Sequence, residues 1–135
     1  TNSVGTAYGN QVSFSTSSLP NNTCNSQIFS TLAGNVSYPG AGNTILFGTN
    51  INVEWTYPGT SQVHVFLYHD ENYVLTIGSW LVNDGLTSWT IPSNLSASNC
   101  YRIVVGVNNL GGNPGTLPNS NWGSGYIVGA AFTLY

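Results

Sequence analysis

An all-β sandwich is the fold class predicted for this chain, and three observations predict it. Apolar residues fall on every second position in two runs, at Ile51, Val53 and Trp55 and again at Val63, Val65 and Leu67. Clusters of turn formers separate such runs, at Tyr38-Pro-Gly-Ala-Gly42, Tyr57-Pro-Gly-Thr60 and Asn83-Asp-Gly85. No stretch shows a heptad, a helical face of any length or an internal repeat. Period-two runs of β-branched and aromatic residues between Gly, Pro and Asn turns belong to half-buried antiparallel strands. Short strands at this spacing stack as a sandwich.

Taken in order, residues 1–33 are rich in Ser, Thr and Asn, and within them Val12-Ser-Phe-Ser-Thr-Ser17 alternates weakly. Leu19-Pro-Asn-Asn-Thr-Cys24 is a turn. Gln27-Ile-Phe-Ser-Thr-Leu32 is expected as a strand, with a short helix capped at Asn25 or Ser26 as the alternative. Strands are expected at Val36–Tyr38 and Thr44–Phe47, then at Ile51–Trp55 with Asn52 and Glu54 on its other face. In Gln62–Tyr68 both faces carry bulk, with His64, Phe66 and Tyr68 opposite the three aliphatics. Such a strand is either covered twice or meets a partner. His69-Asp-Glu-Asn72 reads as a hairpin loop before Val74–Ile77. Asn83-Asp-Gly85 is a tight turn before Leu86–Ile91. Tyr101–Asn108 is the longest apolar run and so a central strand. A long Gly/Asn/Pro loop spans Asn109 to Ser124, a length that is often functional, and Tyr126 to Tyr135 closes the sheet.

Composition narrows the function. With 135 residues the chain makes one domain with a real core. Charged residues are only 4% of it, against about 25% in an ordinary soluble domain. They are Glu54, Asp70, Glu71, Asp84 and Arg102. A net charge of -3 with a single cation makes nucleic acid a poor partner, because phosphate binding needs cationic side chains. It also argues against anionic membrane surfaces. No apolar run is long enough to span a bilayer, and no basic and apolar leader opens the chain, so Thr1 is expected to be a mature terminus. Cys24 and Cys100 fit one disulfide in an oxidising compartment, two buried thiols being the alternative. The expected location is secreted, at the cell surface or in a wall.

A set of spaced residues adds a resemblance. Pro39 and Gly42, then Gly48, Ile51, Val53 and Trp55, then Ser88, Trp89, Ile91 and Pro92, then Tyr101, Ile103 and Val105 stand in that order. Tyr126 and Phe132-Thr-Leu134 follow them. This grammar resembles the immunoglobulin-like, Ser/Thr-rich domain of fungal cell-wall proteins associated with β-1,6-glucan synthesis, which are often GPI-anchored. The resemblance implies an immunoglobulin or fibronectin-III-like sandwich over residues 34–135; residues 1–33 precede it and are, by their own composition, a candidate donor strand. The family offers no established catalytic residues to carry over. These residues include no Ser/Thr-rich tail or GPI signal, unlike many members, and the expectation is either a cleaved tail or an unanchored version.

Catalytic chemistry finds little to use. His64, Asp70 and a serine make a conceivable triad, but no strained Gly-x-Ser-x-Gly elbow accompanies them. Asp70 and Glu71 are sequence neighbours rather than carboxylates facing across a cleft. His64, His69, Asp70 and Glu71 lack a third well-spaced histidine or a cysteine for a metal. The expectation is no enzyme, no cofactor and no metal.

Binding chemistry is richer. Trp80, Trp122, Tyr73 and Tyr126 sit in or beside loops, where aromatic faces can stack on sugar. Trp122 is the leading candidate, with capping of its own core as the alternative. Sequons at Asn21-Asn-Thr, Asn35-Val-Ser and Asn94-Leu-Ser predict N-glycans that hydrate a nearly uncharged surface.

The functional expectation is a glycosylated structural protein that self-assembles, as fibril or wall component, through β-strand contacts. Edge strands normally use charge to block sheet-to-sheet association, and this chain has little. Val12 and Phe14 are expected to dock on a neighbouring subunit, with Phe66 and Tyr68 as further assembly contacts. The rival is a monomeric module that binds wall glucan or chitin.

Overall fold

The computed structural model describes residues 24–25, 28–59, 62–107, 114–118, 122 and 125–135. Strict alternation drives β3 (Asn50–Thr56), where Ile51, Val53 and Trp55 point inward and every neighbour is exposed. It pairs antiparallel with β6 (Leu86–Thr90), from Asn50↔Thr90 to Glu54↔Leu86. On its other side it pairs with β1 (Asn35–Tyr38), completing a three-stranded sheet of order β1-β3-β6. Pro39, which has no amide to donate, follows β1 directly.

The larger sheet runs β2-β9-β7-β4-β5, with β8 beside β7. Its strands are β2 (Thr44–Ile45), β4 (Gln62–His69), β5 (Asn72–Val82), β7 (Ser98–Gly106), β8 (Tyr126–Val128) and β9 (Phe132–Leu134). All its pairings are antiparallel except β2 with β9. The main core lies between the sheets: Ile51, Val53, Trp55 and Trp89 meet Val63, Val65, Leu67, Ile103, Val105 and Phe132. Tyr101 packs there too, and its hydroxyl donates to the Ser96 carbonyl at 2.6 Å. This bond ties the fourth residue of β7 back to the chain that leads into the strand.

Both faces of β4 are buried, and the outer face is covered by the chain itself. His64, Phe66 and Tyr68 are at most 3% exposed. Phe66 and Tyr68 lie in a second apolar cluster with Ile28, Val104, Leu117, Trp122 and Tyr126. The expectation that Phe66 and Tyr68 serve as assembly contacts is therefore corrected: side chains that cover their own core have no surface left for a neighbour.

The strand expected at 27–32 is corrected too. Residues 28–30 carry no regular structure and 31–33 only bends, because hydroxyls replace the ladder. Ser30 Oγ accepts from Val128 N and Thr31 Oγ1 from Tyr126 N, each at 2.8 Å. Short polar side chains compete with the backbone in this way. The strand expected at 44–47 stops at Ile45, and the closing strand is divided by Gly129-Ala-Ala131 into β8 and β9. The turn at 83–85 joins strands of opposite sheets rather than a paired hairpin.

The N-terminal segment is fastened where it meets the larger sheet. Cys24 and Cys100 form a disulfide with a Cα–Cα distance of 5.3 Å. Beside it Asn25 N donates to Asp70 Oδ1 and Asn25 Nδ2 to Glu71 Oε1, both at 2.9 Å. Arg102 Nη2 donates to the Asn25 carbonyl at 2.9 Å. Asp70 and Glu71, expected in a solvated loop, are here half-buried hydrogen-bond acceptors. The disulfide spans a sequence separation of 76, for which loop-closure entropy is worth about 4.5 kcal/mol. A Cys24→Ala/Cys100→Ala variant should lose stability of that order in urea unfolding. A loss below about 1 kcal/mol would show that Asn25 and the outer apolar cluster already restrain the segment.

Candidate functional site

The outer face of the larger sheet gathers the aromatic residues. From β4, the Phe66 ring meets Trp122 edge-on at 5.4 Å and Tyr73 at 6.0 Å. Trp122 tilts against Tyr126 at 5.1 Å. Trp122 can lie on the sheet because β7 ends in Gly106, where a Cβ would come within 2.7 Å of the indole. The loop over this face is tied down by Tyr68, whose hydroxyl donates to the Gly115 carbonyl at 2.7 Å, and by Leu117 N, which donates to the Glu71 carbonyl at 2.9 Å. Burial, then Tyr126 and Tyr73, push the Tyr68 phenol well above its ordinary range.

This arrangement sorts the aromatic candidates. Trp122 is 4% exposed and Tyr126 2%, so neither offers an open ring face, and both cap the chain's own core. Tyr73 is half-buried, with its hydroxyl bonded to Thr76 Oγ1 at 2.9 Å. Trp80 alone of the group is open, at 64% exposure. Its backbone has φ of 54°, unusual for a bulky residue. The cause is a bulge: between Val63↔Leu81 and Val65↔Gly78, Ser79 and Trp80 stand opposite the single residue His64. The indole rests edge-on against His64 with ring centroids 4.6 Å apart, and the Trp80 carbonyl accepts from Gln62 Nε2 at 3.3 Å.

His64 is 3% exposed, and its Nε2, like Trp122 Nε1, has no hydrogen-bond partner among the described residues. Burial lowers its pKa below the ordinary 6.5. His64 and His69 sit at opposite ends of β4, facing Gly106 and Tyr101 of β7. His69 Nε2 is hydrogen-bonded to Ser98 Oγ at 2.8 Å. Asp70 is turned to Asn25, so β4 assembles neither a His–Ser–Asp relay nor the metal set His64, His69, Asp70 and Glu71. Asp70 does lie with Cys24 and Cys100, their ligand atoms within 4.8 Å of one another, but sulfurs joined in a disulfide are not thiolate ligands.

A shallow cavity of about 250 Å³ opens at one end of the sandwich, lined by Trp55, Thr56, Tyr57, Asn83, Asp84 and Gly85. Its polar groups serve the turn: Trp55 Nε1 donates to Asn83 Oδ1 at 2.9 Å, Asn83 Nδ2 to the Tyr57 carbonyl at 2.8 Å, and Leu86 N to Asp84 Oδ1 at 3.2 Å. The sequon residues Asn35 and Asn94 are both exposed, Asn35 opening β1 and Asn94 in a turn. Val12, Phe14 and Asn21 lie outside the described residues.

The flank between β5 and β6 has no signature in the residues taken singly. β5 and β6 are edge strands of opposite sheets joined by the 83–85 turn, so both edges border one flank of the sandwich. On that flank Val74, Leu75, Ile77 and Leu81 reach the main core yet stay partly exposed. A pattern of apolar residues shows which positions want burial. Only the strand order shows which of them the opposite sheet fails to cover.

The His64 environment sets a pH dependence. The unfolded imidazole takes a proton near 6.5, whereas the folded one resists until lower pH. Its contribution is fully present above 6.5 and falls as pH drops from there toward the folded pKa. A His64→Phe variant should flatten that limb of a plot of unfolding free energy against pH. An unchanged slope would exclude His64 as its source.

No protein-family model, no curated protein and no solved structure matches the chain, so the functional reading rests on the residues and their geometry.

Proposed function

We propose that this chain is a secreted, glycosylated structural domain of a cell surface or wall that assembles with copies of itself through β-strand contacts. One observation carries the reading. The strands at the sheet margins, β1, β2, β5 and β6, contain no Lys, Arg, Asp or Glu. Soluble sandwiches commonly place charge on such strands because an open edge is a template for another chain. Residues 1–18 are likewise uncharged and carry the alternating Val12 and Phe14, the pattern of a strand that adds to an open edge. A head-to-tail contact of that kind does not close on itself and grows into filaments.

The disulfide accords with an oxidising, extracellular compartment. Exposed Asn35 and Asn94 accord with N-glycans. At Asn35, which opens edge strand β1, a glycan would also shield that edge. The immunoglobulin-like class is supported by the Tyr101 hydroxyl, whose bond to the Ser96 carbonyl resembles the tyrosine tie of such sandwiches, and by the resemblance to fungal wall proteins. A mass shift lost on enzymatic deglycosylation of the native protein is the expected result, and an unmodified intact mass would remove the glycan from the proposal.

A second reading, a carbohydrate-binding module for wall glucan or chitin, is favoured only by Trp80, an exposed indole seated on a bulge. Stacking on sugar needs such a face, but of the other candidates Trp122 and Tyr126 are buried in the chain's own core and Tyr73 is half-buried.

Deletion of residues 1–18 separates these readings. Cys24 and Asn25 remain, so the truncated domain should keep its unfolding midpoint yet elute as a monomer where the full chain forms filaments by negative stain. Unchanged assembly after truncation would refute the donor role of the segment. A full-length protein that stays monomeric and cosediments with insoluble glucan or chitin would favour the second reading.

A further inference from the structure

Resting on the assembly reading, we propose that the edge of β6 is the acceptor. It takes residues 11–17 of a second copy as a fourth strand of the smaller sheet. The other margins are poorly suited. β5 carries three register shifts against β4, and bulges twist an edge out of the plane a new strand needs. β1 has a shift of its own between Val36 and Tyr38 and stops at Pro39. β2 is two residues long. By contrast β6 keeps an unbroken five-residue register with β3, and among the described residues it pairs with no other strand.

The two faces of the donor fit the two sides of this edge. Outside, Ser88 and Thr90 of β6 form a polar row with Asn50 of β3. Asn50 Nδ2 donates to Thr90 Oγ1 at 2.8 Å, and Ser88 Oγ donates to Asn50 Oδ1 at 3.2 Å. Inside lies the flank where Val74, Leu75, Ile77 and Leu81 of β5 stay partly exposed. Their neighbours on β4, Val63, Val65 and Leu67, are at most 1% exposed. A strand alternates its side chains between faces. Ser13, Ser15 and Ser17 would therefore extend the polar row while Val12 and Phe14 cover the aliphatic flank.

The origin of the segment favours a second copy over its own. Asn25 is held by Arg102, and Ile28 packs with Phe66 and Trp122. The nearest described residues of the segment thus lie on the outer face of the larger sheet, away from the smaller one. To reach its own β6 it would have to cross from that outer face to the other sheet, whereas a neighbour's β6 can be presented to it directly.

Cysteine pairing in the full-length protein tests this. Ser13→Cys, Ser15→Cys and Ser17→Cys variants are each mixed with Ser88→Cys protein under mild oxidation, and with Ser79→Cys on β5 as the comparison. Docking raises the local thiol concentration, so at least one donor should form a covalent dimer with Ser88→Cys about tenfold faster than with Ser79→Cys. Preferential dimers with Ser79→Cys would overturn the β6 assignment and leave strand-mediated assembly standing. No dimers from protein that still forms filaments would overturn the donor strand but not assembly. A Ser15→Cys/Ser88→Cys double variant that closes within single chains at high dilution would overturn both, because the segment then completes its own sandwich.

Discussion

Most of this structure follows from the two apolar faces of β4. A strand with Val63, Val65 and Leu67 on one side and Phe66 and Tyr68 on the other must be covered twice. The smaller sheet covers the inner side, and irregular chain covers the outer one: Ile28, Leu117 and Trp122 lie over Phe66, Tyr68 and Val104. Irregular segments leave backbone groups without a ladder, so each needs its own partner. Thr31 exchanges hydrogen bonds with the Tyr126 backbone, Tyr68 reaches Gly115, Tyr57 Oη donates to the Gly125 carbonyl at 2.8 Å, and the disulfide anchors the far end. The covering is thus a set of local ties, and the aromatic rings of the outer face are buried within it.

The few charges are placed by the same need. Asp70, Glu71 and Arg102 all bond to Asn25, where the N-terminal segment crosses onto the sheet. Glu54 lies on central strand β3 and Asp84 in the turn before β6. None remains for the margins. At β5 the missing charge is replaced by geometry: three bulges and a tryptophan in a left-handed conformation disrupt an edge that is otherwise eleven residues of uncharged β-former. Shape and charge are alternative ways to blunt an edge.

Much of this was legible in the sequence, for a physical reason. Alternation is imposed by burial of one face, so β3 and the inner residues of β4 could be located from their period alone. The pairing of Cys24 with Cys100 needed only the cysteine count and an oxidising compartment. What stayed illegible depends on partners remote in sequence. Trp122 and Trp80 are both indoles near loops, and nothing local distinguishes them. One finds Gly106 beneath it and sinks, while the other is turned outward by a bulge whose register depends on β4. Segment 27–32 has strand-like composition, yet Ser30 and Thr31 meet the amides of β8 with hydroxyls. The double covering of β4 was open to two readings, because periodicity reports that a face is buried but not by which molecule.

That distinction bears on how the molecule separates its own core from contact with others. A second apolar face is the common place for a subunit interface, and here it is closed from within. A self-contact of the kind proposed then falls to backbone edges or to the half-covered flank between β5 and β6. The flank arises from unequal sheets: five strands in the main path of one lie over three in the other, and β5 projects beyond the strand that would cover it. Adding a strand at β6 narrows that difference and meets the unpaired edge and the exposed aliphatics together. Adding one at β5 would widen the sheet that is already the larger and leave Leu75 and Ile77 as exposed as before. Sheet width and edge regularity thus favour the same margin.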